Sequence, residues 1–169
     1  VNIGLIGYRA AGKSTLGQLL SSRLSYPFLD VDRGIEQQSG KTIKALYEED
    51  GAQAYRDVES LVVADMCASE QCVIAFGAGS LMRPRNQVCA RRNSLLFYLE
   101  LPADVLWERI RSDPGSALTR PNLSSGGLEE VSQMLAQRAP VYRACAHKVL
   151  DGTQSAEQLT EAVLSELRS

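Results

Sequence analysis

The chain has 169 residues, a formal net charge of −2 and a pI near 5.5, which is enough for about one domain with its own core and carries none of the basic excess of a nucleic-acid-binding surface. Its four cysteines (Cys67, Cys72, Cys89, Cys145) show no Cys-x-x-Cys spacing and its one histidine is His147, so a zinc site is excluded and reduced, mostly buried thiols are expected. No apolar run approaches the roughly 18 residues of a membrane span, and the chain opens on a strand rather than a basic and apolar leader, so a cytoplasmic protein without membrane contact is expected.

Asn2-Ile3-Gly4-Leu5-Ile6 reads as a short buried strand. Gly7-Tyr8-Arg9-Ala10-Ala11-Gly12-Lys13-Ser14 then fits G-x-x-x-x-G-K-[ST], and Leu16, Leu19, Leu20 and Leu24 follow at helical spacing. The strand, turn and helix are the context in which this motif grips a nucleoside triphosphate. Gly7 and Gly12 clear side chains from where phosphate oxygens would sit, and consecutive N–H groups with the positive end of the helix face the anion. Lys13 suits the β- and γ-phosphates and the Ser14 hydroxyl suits Mg²⁺. The pattern predicts a P-loop nucleotide-binding protein.

A helix is expected over about Lys13 to Leu24, then a strand from Tyr26 to Leu29 ending at Asp30-Val31-Asp32. Acids at the carboxyl end of a strand in an open α/β sheet lie on the ligand side, and on an extended backbone these two would point the same way. Asp32 also suits the N-cap of a short helix ended by Gly40, and a cap can be a ligand. A helix opens at Lys41-Thr42, breaks at Gly51 and is followed by a longer one from about Gln53 to Ser69. Arg56 and Glu59 share a face there, either as a surface ion pair or with Glu59 aiming Arg56 at an anion.

Cys72 to Phe76 is a buried strand leading into Gly77-Ala78-Gly79-Ser80, which is either a plain turn or open backbone beside the P-loop. It lacks the strand-end aspartate many P-loop ATPases use for Mg²⁺, which makes Asp30 the metal partner. A basic helix (Pro84 to Arg92), a strand (Ser94 to Leu99) and a helix (Pro102 to Arg111) follow. The stretch from Asp113 to Gly127 has no periodicity and is expected to be a lid, with Arg120 either solvated or set over the phosphates. The helix from Leu128 to Ala146 contains Arg138 and Pro140, and the proline predicts a kink or break. His147 to Leu150 is the last strand, Asp151-Gly152-Thr153 a turn, and Ser155 to Leu167 an amphipathic helix. His147 starts its strand away from the ligand side and reads as structural. The arginine-rich basic side (14 Arg, 4 Lys) suits carboxylate and phosphate recognition, although composition bias accounts for it equally well. Strand–helix alternation with five strands predicts a parallel sheet covered on both faces.

The order of GYRAAGKST, DVD, AYRDVE, GAGS, TRPNL and RAPVYR resembles the shikimate kinase family, in the nucleoside-monophosphate-kinase-like group of P-loop kinases, over essentially all 169 residues. The resemblance implies a three-layer α/β/α fold with a five-stranded parallel sheet in the order 2-3-1-4-5. It implies one domain over residues 1–169, with substrate-binding helices over about 33–60 and a lid over about 113–127. It implies ATP and Mg²⁺, with Gly7, Ala10, Ala11, Gly12, Lys13, Ser14 and Thr15 at the phosphates and Ser14 and Asp30 at the metal. Arg109 and the turn at Thr153 would flank adenine. Lys13, Asp32 and Arg120 would be catalytic: Asp32 would take the acceptor proton and Arg120 would act from the lid. Asp32, Arg56, Gly77, Ala78, Gly79 and Arg138 would hold shikimate, the two arginines on its carboxylate. The implied reaction phosphorylates the 3-hydroxyl of shikimate, in aromatic amino-acid synthesis, in a monomer.

The family usually has three glycines where this chain has Gly77-Ala78-Gly79, threonine in place of Phe76, often glycine in place of Ala10, and leucine in place of Asn122. The Ala78 methyl requires a negative φ and narrows the substrate wall. Two other readings are a related kinase for another hydroxylated acid such as gluconate, and a non-catalytic nucleotide-binding domain. Retention of Arg56 and Arg138 opposes the first, and retention of Lys13, Asp32 and Arg120 opposes the second.

Overall fold

All five residues of β1 (Asn2–Ile6) are buried because the strand lies at the centre of a sheet covered on both faces. In the computed structural model, which describes residues 1–113 and 126–169, β1 pairs in parallel with β3 (Val73–Ala75) and β4 (Ser94–Glu100). β2 (Phe28–Asp30) and β5 (Lys148–Asp151) close the edges, giving the expected order β2-β3-β1-β4-β5. The described helices are α1 (Lys13–Leu24), α2 (Val31–Ser39), α3 (Ile43–Cys67), α4 (Pro84–Asn93), α5 (Ala103–Ser112), α6 (Gly127–Cys145) and α7 (Ala156–Arg168).

The strand period of two splits the core in half. Ile3, Leu5, Phe97 and Leu99 pack with residues of α1, α5 and α7, while Ile6, Leu96 and Tyr98 pack with residues of α2, α3 and α4. α6 contributes Val131 to the first half and Tyr142 and Cys145 to the second. The parallel strands all present their carboxyl ends to one side, and both glycine turns leave from there.

Two local expectations are corrected. Asp30, not Asp32, caps α2: it stays extended (φ −116°, ψ 117°) and its Oδ1 accepts from the N–H groups of Asp32 (2.9 Å) and Arg33 (3.4 Å). The helix therefore begins at Val31, so the two acids do not share an extended backbone. Asp30 comes from the strand end and Asp32 from the first helical turn. The helix α6 carries Pro140 inside it, within the expected span from Leu128 to Ala146 and with no break at the proline. The lost hydrogen bond falls on the exposed carbonyl side of Ala136, and buried Arg138, Ala139, Tyr142 and Cys145 hold the inner face.

Gly51 (φ 91°, ψ 169°) interrupts α3 as expected, and Gly40 in the left-handed region ends α2. All four cysteines are free thiols, Cys89 half-buried and the others buried. His147 is exposed, with its ring edge-on to Phe97 and Nε2 3.4 Å from Glu166. Among the described residues no helix is long and apolar enough to cross a membrane.

Candidate active site

The P-loop folds as a tight cradle between β1 and α1. Gly12 at φ 101° sits where an L side chain would be strained, and Ala10 adopts φ 65°, a left-handed conformation costing an alanine roughly 1 kcal/mol. The Lys13 ammonium donates to the carbonyls of Gly7 (2.7 Å) and Tyr8 (2.8 Å), which holds it across the mouth of the loop. Arg109 of α5 donates to the Ala10 (3.2 Å) and Ala11 (3.4 Å) carbonyls and so ties α5 to the loop. One concave site is lined by residues 9–15, Asp30, Asp32, Arg109 and Asp113.

Ser14 Oγ donates to Asp30 Oδ2 at 3.3 Å within this site. Two hard oxygen donors beside a phosphate cradle fit Mg²⁺, which takes few protein ligands and completes its shell with phosphate and water. The described residues hold no cluster of three or more His, Cys, Asp or Glu side chains that would form a protein-only metal cage.

A second pocket adjoins the first through Arg9 and is lined by Tyr8, Ile43, Tyr47, Tyr55, Arg56, Ala78, Gly79, Glu130 and Arg138. Two guanidinium groups reach it from different helices. Arg56 lies over the Tyr55 ring (4.7 Å to the centroid) and Arg138 over the Tyr8 ring (5.8 Å). Two separated guanidiniums on one pocket suit a carboxylate.

Arg56 is set by its neighbours. Its Nη1 is 2.6 Å from Oε1 of Glu59, whose side chain has 0% exposure. Burial pulls the Arg56 pKa down, but the Glu59 charge and hydrogen bond, together with Tyr55 and Tyr47, outweigh it and hold the pKa above the ordinary arginine value. Of the two readings of this pair, the orienting one fits a buried carboxylate. A Cβ on Gly79 would meet Arg56 Nη1 at 2.7 Å, so glycine there gives the guanidinium its floor.

Asp32 lines the P-loop site, not the arginine pocket. A Cβ on Gly77 would come within 2.9 Å of Asp32 Oδ1, so the carboxylate approaches the backbone just before the Ala78–Gly79 wall and stands at the boundary of the two pockets. Ala78 is absent from the left-handed residues, satisfying the condition on its methyl, and its carbonyl accepts from the Tyr142 hydroxyl.

Thr153 lines neither of these two pockets. Its N–H (3.0 Å) and Oγ1 (2.6 Å) donate to Asp151 Oδ1, and it lines a separate depression with Glu100, Leu101 and Arg143. Arg120 and most of the expected lid lie outside the described residues. Tyr8, Arg9, Tyr47 and Glu130 line the pockets without having been singled out by sequence. Tyr8 and Arg9 occupy unspecified positions of the P-loop pattern, and Tyr47 and Glu130 read as ordinary helical residues.

A 2-3-1-4-5 parallel sheet, a P-loop opening α1, and a second pocket with two arginines beside it define a P-loop kinase. The chain belongs to the shikimate kinase family, whose model matches residues 9–168. The shikimate kinase of Burkholderia lata is 34% identical over 167 residues, covering 98% of this chain and 89% of that one. The structure of the shikimate kinase from Acinetobacter baumannii, solved in complex with shikimate, superposes with a TM-score of 0.91 at 29% identity, covering 98% of this chain and 92% of that one. A gluconokinase from Sinorhizobium meliloti shares the fold, with a TM-score of 0.66 at 19% identity over 99% of this chain and 91% of that one.

Proposed function

We propose that this chain transfers the γ-phosphoryl group of ATP to the 3-hydroxyl of shikimate, giving shikimate 3-phosphate and ADP. The observation that carries the reading is the meeting of Arg56 and Arg138 on one pocket that adjoins the P-loop site through Arg9. A ring acid held by its carboxylate there can present a hydroxyl to the phosphates.

The P-loop N–H groups and the start of α1 bind the β- and γ-phosphates, and Lys13 exchanges its loop carbonyls for phosphate oxygens. Ser14 and Asp30 hold Mg²⁺, which when bound neutralises charge on the β- and γ-phosphates. Arg56 and Arg138 hold the carboxylate, with Glu59 fixing Arg56, and the Gly77–Gly79 backbone forms the wall. Asp32, between the two pockets, accepts the proton of the attacking hydroxyl. Phosphoryl transfer asks mainly for positioning and charge neutralisation, and these residues supply both. Arg109 packs over the loop on the nucleotide side. A monomer acting in the cytoplasm is what the family resemblance implies.

Coupled ADP release with MgATP, comparing shikimate, quinate and gluconate, tests the proposal. Shikimate-dependent turnover well above the other two is expected. Turnover with gluconate alone would move the acceptor to another acid, and ATP binding without turnover on any acid would sink the kinase reading.

A further inference from the structure

We infer that Ser80 is a positioning residue for the carboxylate clamp, acting on Arg56 through Glu59. This rests on the functional reading above and extends it to a side chain that lines neither pocket. Glu59 divides its oxygens: Oε1 faces Arg56 Nη1 at 2.6 Å and Oε2 accepts from Ser80 Oγ at 2.9 Å. Glu59 and Ser80 are both 0% exposed, so no solvent replaces a lost bond.

Ser80 can direct the carboxylate because it is itself held. Its N–H donates to the Gly77 carbonyl (3.0 Å), and its carbonyl accepts from Asn86 Nδ2 (2.8 Å), with Asn86 2% exposed. A Cβ on Gly77 would stand 2.9 Å from Ser80 Oγ, so glycine there leaves room for the hydroxyl. The result is a buried line, Asn86 to Ser80 to Glu59 to Arg56, running from α4 to the pocket.

Without the Ser80 hydroxyl, Oε2 is a buried charged acceptor whose strongest available donor is Arg56. A guanidinium fork accepts a carboxylate in bidentate fashion, so Glu59 would turn both oxygens onto Arg56 and draw it back from the substrate. The clamp would weaken while the P-loop stayed as it is. A purely structural serine would instead lower stability without separating the two substrates.

The experiment is steady-state kinetics and thermal unfolding of wild type, Ser80→Ala and Ser80→Cys. For Ser80→Ala, KM for shikimate rises about tenfold while KM for ATP and kcat stay within about twofold. Ser80→Cys, which keeps the size and a weaker donor, falls between, and it carries the same test should Ser80→Ala not fold. An unmoved shikimate KM, or equal rises in both KM values, would overturn the inference. Wild-type protein without shikimate turnover would overturn the functional reading and this inference with it, whereas active wild type with an unmoved variant overturns the inference alone.

Discussion

The fully buried Glu59 carboxylate stands 2.6 Å from the guanidinium of Arg56, whose own side chain is 24% exposed toward the pocket. An ion pair closed on one end and open on the other is suited to presenting charge. Glu59→Ala leaves a half-buried guanidinium without its counterion, and breaking such a pair costs about 3 kcal/mol. The expected result is a lower urea midpoint together with a raised KM for shikimate. Loss of stability with an unchanged shikimate KM would return the pair to a structural role.

Asp32 is placed at the junction of the two pockets by the first turn of α2, and Asp30 caps that turn. Asp32→Asn keeps the shape and removes the base, so kcat is expected to fall by about 10²–10⁴ while calorimetry shows ATP binding unchanged. Unchanged turnover would remove Asp32 from the mechanism.

These two acids show where sequence reasoning reached and where it stopped. The DVD pattern located both carboxylates at the ligand side, because the strand end defines that side whatever the local backbone does. Which of them caps the helix depends on where extended backbone gives way to helix, and one residue decides it. Sequence leaves Arg56 and Glu59 an undecided pair, because spacing reveals a shared face but not the burial of Glu59 that rules out a surface ion pair. Ser80 had no signal beyond following a glycine turn. The sheet order rested on the family resemblance, since strand alternation alone admits several parallel topologies.

Phe76 departs from the family pattern next to the substrate wall, yet its side chain is 0% exposed and lines the core half that holds Tyr98 and Tyr142. A Cβ on Gly4 of the neighbouring strand would come within 2.9 Å of Phe76 Cε2, so the missing side chain at Gly4 makes room for the ring. Phe76→Thr is expected to lower unfolding free energy by about 3 kcal/mol, as core truncations do. The preference among shikimate, quinate and gluconate should stay as in wild type. A changed preference would bring Phe76 back into specificity.

Burial, with the Cys89 thiol beside it, pushes the Cys67 pKa up from 9.0 to about 12. The unfolded chain releases this proton near the ordinary thiol value, so from about pH 9 to 12 it binds fewer protons than the native state. Stability then falls as pH rises, and the contribution is full only below pH 9. Burial raises Cys72, Cys145 and Tyr142 in the same direction and steepens the slope. Urea midpoints should be level from about pH 7 to 8.5 and decline above 9, less steeply in Cys67→Ala. A level profile through pH 10.5 would contradict this.

Arg138 is 8% exposed and comes to the pocket from α6, with its guanidinium 5.8 Å from the ring of Tyr8, a P-loop residue. Its two surroundings make different demands. If it holds the acceptor carboxylate, Arg138→Ala removes a charge-assisted bond and raises KM for shikimate by about 10–150-fold, with KM for ATP within about threefold. If it serves mainly to brace Tyr8, the P-loop shifts with it and both KM values rise together. The Tyr8 carbonyl already holds Lys13 at 2.8 Å, so any movement of Tyr8 reaches the nucleotide side. Tyr8→Leu separates the two cases: it should leave shikimate KM much closer to wild type than Arg138→Ala does, because the arginine keeps its charge and its place on α6. A Tyr8→Leu effect as large as that of Arg138→Ala, and on both substrates, would assign Arg138 to support of the loop.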